Sequence, residues 1–103
     1  MSVAETKIYI SGKITGMEEQ ARELFAKTEQ ELIDKGYYYV INPMELKHEH
    51  DKSWESYMKE CVKALCNCDV IYLLPNWSDS KGATIEKTIA EFLGIKIHYY
   101  GEL

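Results

Sequence analysis

The sequence predicts an α/β fold, a minimal doubly wound, flavodoxin- or Rossmann-like parallel sheet of about four strands with helices on both faces. Three observations predict it. Short runs of β-forming residues alternate with long helical stripes, the pattern of right-handed βαβ crossovers. The run Val70-Ile71-Tyr72-Leu73-Leu74 is almost wholly apolar, as expected of a central strand covered on both faces. Glycines at 36 and 94 stop two of the helical stripes just before the next run begins.

Each element follows from its spacing. Lys7 to Ile10 reads as the first strand, ending in the loop Ser11-Gly12-Lys13-Ile14-Thr15-Gly16. From Met17 to Lys35, residues Met17, Ala21, Leu24, Phe25, Thr28, Leu32 and Ile33 recur at three and four, which predicts a helix. Tyr38 to Ile41 is the second strand, closed by Asn42-Pro43, and Met44 to Lys52 reads as a charged loop or short turn. Ser53, with Ser56 as the alternative, caps a helix whose stripe is Trp54, Tyr57, Met58, Cys61, Ala64 and Leu65, ending near Asn67. Val70 to Leu74 is the third strand. A last helix runs from Ser80 or Gly82 to Leu93, and Ile95 to Tyr99 is the last strand.

Composition narrows the function. The 103 residues suit one domain, and at 46% hydrophobic and 28% charged the chain has the balance of an ordinary soluble globule. A net charge of −5 with no basic stripe excludes a nucleic-acid polymer as partner, yet leaves room for a small anionic ligand held by one or two cations or a helix N-terminus. No segment reaches the roughly 18 apolar residues that span a bilayer, and Met1 to Lys7 lacks the apolar centre of a signal peptide. Three cysteines, Cys61, Cys66 and Cys68, suit a reducing cytoplasm. They lack a second ligand pair at metal spacing, and His48-Glu49-His50-Asp51 reads as a solvated charge run, so neither metal nor cofactor is expected.

Glu86 is the leading functional candidate. Its helical neighbours are Gly82, Ala83, Ile89 and Ala90, all small or apolar, so the carboxylate faces the sheet. A buried charge costs several kcal/mol unless it is bound or used (roughly 3–5 kcal/mol when poorly paired). In a doubly wound sheet, ligands bind at the carboxyl ends of the strands. The loops Ser11 to Gly16, Asn42 to Met44 and Pro75 to Gly82 meet there, with Glu86 one turn beyond the third.

Several residues join it as candidates. The loop Ser11-Gly12-Lys13-Ile14-Thr15-Gly16 offers free N–H groups to an oxyanion, although it matches neither the Walker A nor the G-x-G-x-x-G pattern, and a plain tight turn remains the competing reading. Tyr9 lies near the carboxyl end of its strand, where its hydroxyl orients a carboxylate or the ring merely fills a strand position. Asp69 opens the third strand, as a cap or as a second carboxylate. Trp77 either stacks on a flat ring or covers the core edge. Ser80 is either a helix N-cap or a hydroxyl beside free backbone N–H groups.

Taken together, Tyr9-Ile10-Ser11-Gly12, Asn42-Pro43, Cys68-Asp69, Trp77, Ser80, Gly82-Ala83 and Glu86 resemble the nucleoside 2-deoxyribosyltransferase-like superfamily, in particular a small bacterial and phage branch of it. The resemblance covers residues 7 to 98. It implies a flavodoxin-like fold and cleavage or transfer at the N-glycosidic bond of a nucleoside or its 5′-monophosphate. It further implies that Glu86 is the nucleophile at C1′, that Asp69 assists protonation of the leaving base, and that Tyr9 positions Glu86. Ser11, Gly12, Lys13, Asn42, Pro43, Trp77, Ser80 and Gly82 would bind substrate, with Ser80 on a 5′-phosphate. A homo-oligomer, dimer or larger, is the implied assembly. The alternative is a nucleotide-binding module, sensor or sequestering, that keeps the pocket without turnover.

Overall fold

The computed structural model describes residues 2–46 and 53–103. His48, Glu49, His50 and Asp51 therefore lie outside the described residues. Strands β1 (Lys7–Ser11), β2 (Tyr39–Ile41), β3 (Val70–Leu73) and β4 (Lys96–Tyr99) form one sheet in the order β2-β1-β3-β4. Every pairing is parallel, with Tyr9 opposite Ile41 on one side and Ile71 on the other. Helices α1 (Glu18–Asp34), α2 (Trp54–Cys66) and α3 (Lys81–Phe92) make the crossovers. The order is that of a doubly wound sheet, and the switch point lies between β1 and β3.

The period of two along β1 sorts its side chains between two cores. Ile8 and Ile10 face α1 and pack with Ala21, Phe25, Leu32, Val70, Tyr72 and Leu74. Tyr9 faces the other way, into a core with Cys61 and Leu65 of α2, Ala90 of α3, and Ile71 and Leu73 of β3. Helix α1 thus covers one face, and α2 and α3 cover the other. Ser11 has the same parity as Tyr9 and therefore shares its face, as the last residue of β1 rather than the first of a loop.

Local chemistry ends each helix where the sequence predicts, within a residue or two. Gly36, at φ +100°, closes α1: its N–H donates to the Ile33 carbonyl, and the Tyr37 N–H donates to that of Leu32. That doubly bonded left-handed turn strongly favours glycine. At the other end, the Gly16 N–H donates to the Glu18 carboxylate at 3.0 Å. Hydrogen bonds from the backbone N–H groups of Glu18 and Gly16 hold that carboxyl below its ordinary range. Of the two alternatives for α2, Ser53 is the cap, its Oγ accepting from the Ser56 N–H at 3.1 Å. Ser80 caps α3 in the same way, accepting from the Ala83 N–H at 3.0 Å. The second strand begins one residue later than expected, and the segment after it opens with a 3-10 turn, Pro43–Glu45, capped by Asn42.

Candidate active site

Glu86 is 5% exposed, and its carboxylate is held by two hydroxyl groups from β1. The Tyr9 hydroxyl donates to Oε2 at 2.6 Å, and the Ser11 hydroxyl donates to Oε1 at 2.7 Å. This arrangement follows directly from the fold. Tyr9 and Ser11 are two residues apart on one strand face, and α3 packs its Ala83-Glu86-Ala90 stripe against that face. Burial pushes the Glu86 carboxyl above its ordinary range, while the hydrogen bonds from Tyr9 and Ser11 pull it back toward the ionised form. Tyr9 is pushed well above its ordinary range, first by burial and then by the neighbouring negative charge of Glu86. Its proton therefore stays on its oxygen, which fixes it as a donor.

Glu86 forms part of the floor of a cleft of about 560 Å³ at the carboxyl ends of the strands. β1 and its loop contribute Tyr9, Ser11, Gly12, Lys13, Ile14 and Thr15; Pro43 borders the cleft from the next loop. The start of α3 contributes Ser80, Lys81, Gly82 and Ala83, preceded by Asp79. Ser80 uses its oxygen as a cap acceptor, so its O–H remains able to donate to a ligand. Gly12 has a steric reason to be glycine: a Cβ there would stand 2.8 Å from Cδ1 of Leu74. The first loop is pinned from the third, since the Lys13 N–H donates to Oδ1 of Asn76 at 3.1 Å. The structure thus brings Glu86, Tyr9, Ser11, Gly12, Lys13, Pro43, Ser80 and Gly82 to one cleft.

Three candidates lie elsewhere. Asp69 is at the opposite edge of the sheet, where its carboxylate accepts from the Lys7 N–H at 2.9 Å. It lines a separate hollow with Val3, Thr6, Tyr37, Lys96 and His98. The reason is elementary: Asp69 precedes β3, and in a parallel sheet the amino ends of all strands share an edge. From Lys7 to Ser11 the strand rises about 13 Å, which removes Asp69 from the chemistry of Glu86. Trp77 does not line the cleft; its ring packs against Tyr99, with centroids 6.1 Å apart, and the Lys87 ammonium lies 5.4 Å from its centroid. Asn42 is turned inward, its Oδ1 accepting from the Met44 N–H at 3.0 Å and its Nδ2 donating to Glu29 at 3.2 Å.

Helix α2 supplies a further wall, Trp54, Glu55, Tyr57, Met58 and Cys61, of which the sequence reading noted Trp54, Tyr57, Met58 and Cys61 only as a helical stripe. Its lower half is fully buried at Cys61 and Leu65, while Trp54, Tyr57 and Met58 are only half-buried. The stripe therefore runs past the end of the sheet and becomes a cleft wall. The signal in the sequence was the change from small and aliphatic residues to Trp, Tyr and Met along that stripe. Lys81 lies 4.5 Å from the Trp54 ring centroid, so a cation–π contact ties the start of α2 to the start of α3. Cys61 stands beside Tyr9 and Tyr57, and burial pushes its thiol up to about 11. Among the described residues no group of three or more His, Cys, Asp and Glu side chains is placed to hold a metal. Nor is any described helix long and apolar enough to cross a membrane.

Comparison with known proteins matches this geometry to a fold. The chain is similar in structure to a 2-deoxyribosyltransferase from the psychrotolerant bacterium Bacillus psychrosaccharolyticus, a biocatalyst for the synthesis of antiviral and antitumoral nucleosides. The TM-score is 0.71 at 25% sequence identity, over 95% of this chain and 76% of that one. No curated protein matches at the sequence level. The profile of the domain of unknown function DUF4406 matches residues 6–99. The chain thus belongs to the DUF4406 family, built on a nucleoside 2-deoxyribosyltransferase-like fold.

Proposed function

We propose that the cleft binds a nucleoside or its 5′-monophosphate and that Glu86 attacks C1′ of the sugar. The observation that carries this reading is the buried Glu86 carboxylate, held at 2.6 and 2.7 Å by Tyr9 and Ser11 at the floor of the cleft. Neutral donors leave the charge of Glu86 uncancelled, whereas a lysine or arginine would have neutralised it. Such a carboxylate stabilises the oxocarbenium-like state of a breaking glycosidic bond or traps it covalently. In the first step the C1′–N bond breaks, its electron pair leaves with the base, and a C1′–O bond forms to Glu86. The departing base gains its proton from water in the cleft. In the second step water or another base attacks C1′ and frees Glu86. The similarity to a 2-deoxyribosyltransferase supports the same chemistry.

Ser80, Lys81 and Lys13 suit the 5′ end of the ligand, since a hydroxyl donor, two cations and the start of α3 converge there. A second reading, binding without turnover, is favoured by one observation: Asp69 is not in the cleft, so the expected second carboxylate does not face Glu86. Incubation with a panel of nucleosides and 5′-monophosphates, read for free base, separates the two. Base release that disappears in Glu86→Gln supports the enzyme. Saturable binding without release supports the silent module, and release undiminished in Glu86→Gln removes Glu86 from the mechanism.

A further inference from the structure

With Asp69 at the far edge of the sheet, the base-binding side of the cleft has to be furnished by other residues. Among the described residues, the carboxylates that line the cleft besides Glu86 are Glu55 and Asp79. Asp79 directly precedes Ser80, on the same wall as the helix that carries Glu86. Glu55 stands on the other wall, in the first turn of α2. We infer that Glu55 is the residue that reads the nucleobase, and that it selects bases presenting an amino group over thymine and uracil. This rests on the reading of the cleft as a nucleoside site.

Helical geometry sets the distances. Glu55, Met58 and Cys61 recur at three and line the same side of the cleft, with Cys61 at the floor beside Tyr9. Six residues of helix raise Glu55 about 9 Å above Cys61. In this reading a sugar seated on Glu86 extends its base up that wall, toward the first turn of α2. The Trp54–Lys81 contact fixes that turn against α3, so Glu55 projects from an anchored position rather than a frayed helix end.

The chemistry of the side chain gives the selectivity. An ionised carboxylate only accepts hydrogen bonds. Among the described residues, none donates a hydrogen bond to Glu55 or forms an ion pair with it, so its acceptors remain for the ligand. Guanine offers adjacent imino and amino donors, and adenine and cytosine offer an amino group. Thymine and uracil offer one N–H flanked by two carbonyl oxygens, which repel a carboxylate.

Calorimetric titration with deoxyguanosine, deoxyadenosine, deoxycytidine, thymidine and deoxyuridine tests this. The titrations use the Glu86→Gln chain, to prevent turnover, with and without Glu55→Gln. The Glu55-containing chain is expected to bind an amino-bearing nucleoside about tenfold or more tightly than thymidine or deoxyuridine. Glu55→Gln, whose amide both donates and accepts, is expected to collapse that ratio, and Glu55→Asp to restore part of it. Circular dichroism on each variant confirms that the fold is retained. Equal affinity for all five bases, or a preference unchanged by Glu55→Gln, overturns the role of Glu55 while leaving the cleft a nucleoside site. Failure of every nucleoside, and of the matching 5′-monophosphates, to bind either protein overturns both that reading and this inference.

Discussion

Glu86 is held as a charge that the fold would rather not bury. Its raised carboxyl gives a definite pH signature. Below the value of an unfolded glutamate, about 4.3, the group is protonated in both states and its burial as a charge costs nothing. As pH rises through the higher folded value, the stability associated with the protonated form is lost. Glu86→Gln is neutral throughout and keeps hydrogen-bonding partners for both hydroxyls. Its melting temperature is therefore expected to exceed that of the wild type at pH 7 and to converge with it below about pH 4. Thermal melts across that range check this. Tyr9→Phe and Ser11→Ala act in the opposite sense, each removing one donor to a charged acceptor at a cost of about 1.5–3 kcal/mol. Losing a donor also raises the Glu86 carboxyl further, so the acid limb of any pH–rate profile is expected to move to higher pH in both variants. Denaturant titrations and rate profiles read the two effects separately. The sequence made Glu86 legible because a charge stood among small and apolar helical neighbours. It made Tyr9 legible as a partner through its place near the end of a strand and through the family resemblance.

At the scale of elements, helix ends are built from single residues with separable roles. Ser80→Ala removes the cap of α3 and is expected to cost about 1 kcal/mol. It also removes the hydroxyl donor at the cleft, so it weakens ligand binding as well as stability. Gly36→Ala forces a side chain into the left-handed region at φ +100°, at a cost of about 1–2 kcal/mol, and leaves binding unchanged because α1 lies on the other face of the sheet. Denaturant midpoints and titrations on the two variants distinguish an element that only supports the fold from one that also forms the cleft. Strand and helix order was legible because periods of two and of nearly four alternate cleanly along the chain. The role of α2 was not, since a single apolar stripe serves the core at Cys61 and Leu65 and the cleft at Trp54, Tyr57 and Met58. Periodicity reports which face is inward; it does not report where the neighbouring sheet ends.

At the scale of the whole molecule, the parallel sheet has two chemically different edges, and residues that look equivalent in sequence fall on opposite ones. Asp69 and Glu86 are both carboxylates flanking one apolar strand, but Asp69 lies before it and Glu86 beyond it. Asp69→Asn is therefore expected to leave base release and ligand affinity unchanged. Its cost falls on stability, because an amide oxygen accepts from the Lys7 N–H less strongly than a carboxylate does, at about 1 kcal/mol. Rates and melts on this variant, set beside those of Glu86→Gln, map the two edges. Trp77 shows the same limit. Its loop reaches the correct edge, but only the assembled molecule shows that its ring settles against Tyr99 and leaves Trp54 at the cleft.

The central claim, attack of Glu86 on C1′, is tested most directly by trapping the glycosyl group on the protein. Incubation with a 2′-fluorinated deoxynucleoside, whose electron-withdrawing substituent slows release from the nucleophile, is followed by mass spectrometry of the digested chain. The account predicts one added glycosyl group on the peptide containing Glu86 and none in Glu86→Gln. A glycosyl group on another residue, or base release that continues in Glu86→Gln, would contradict it.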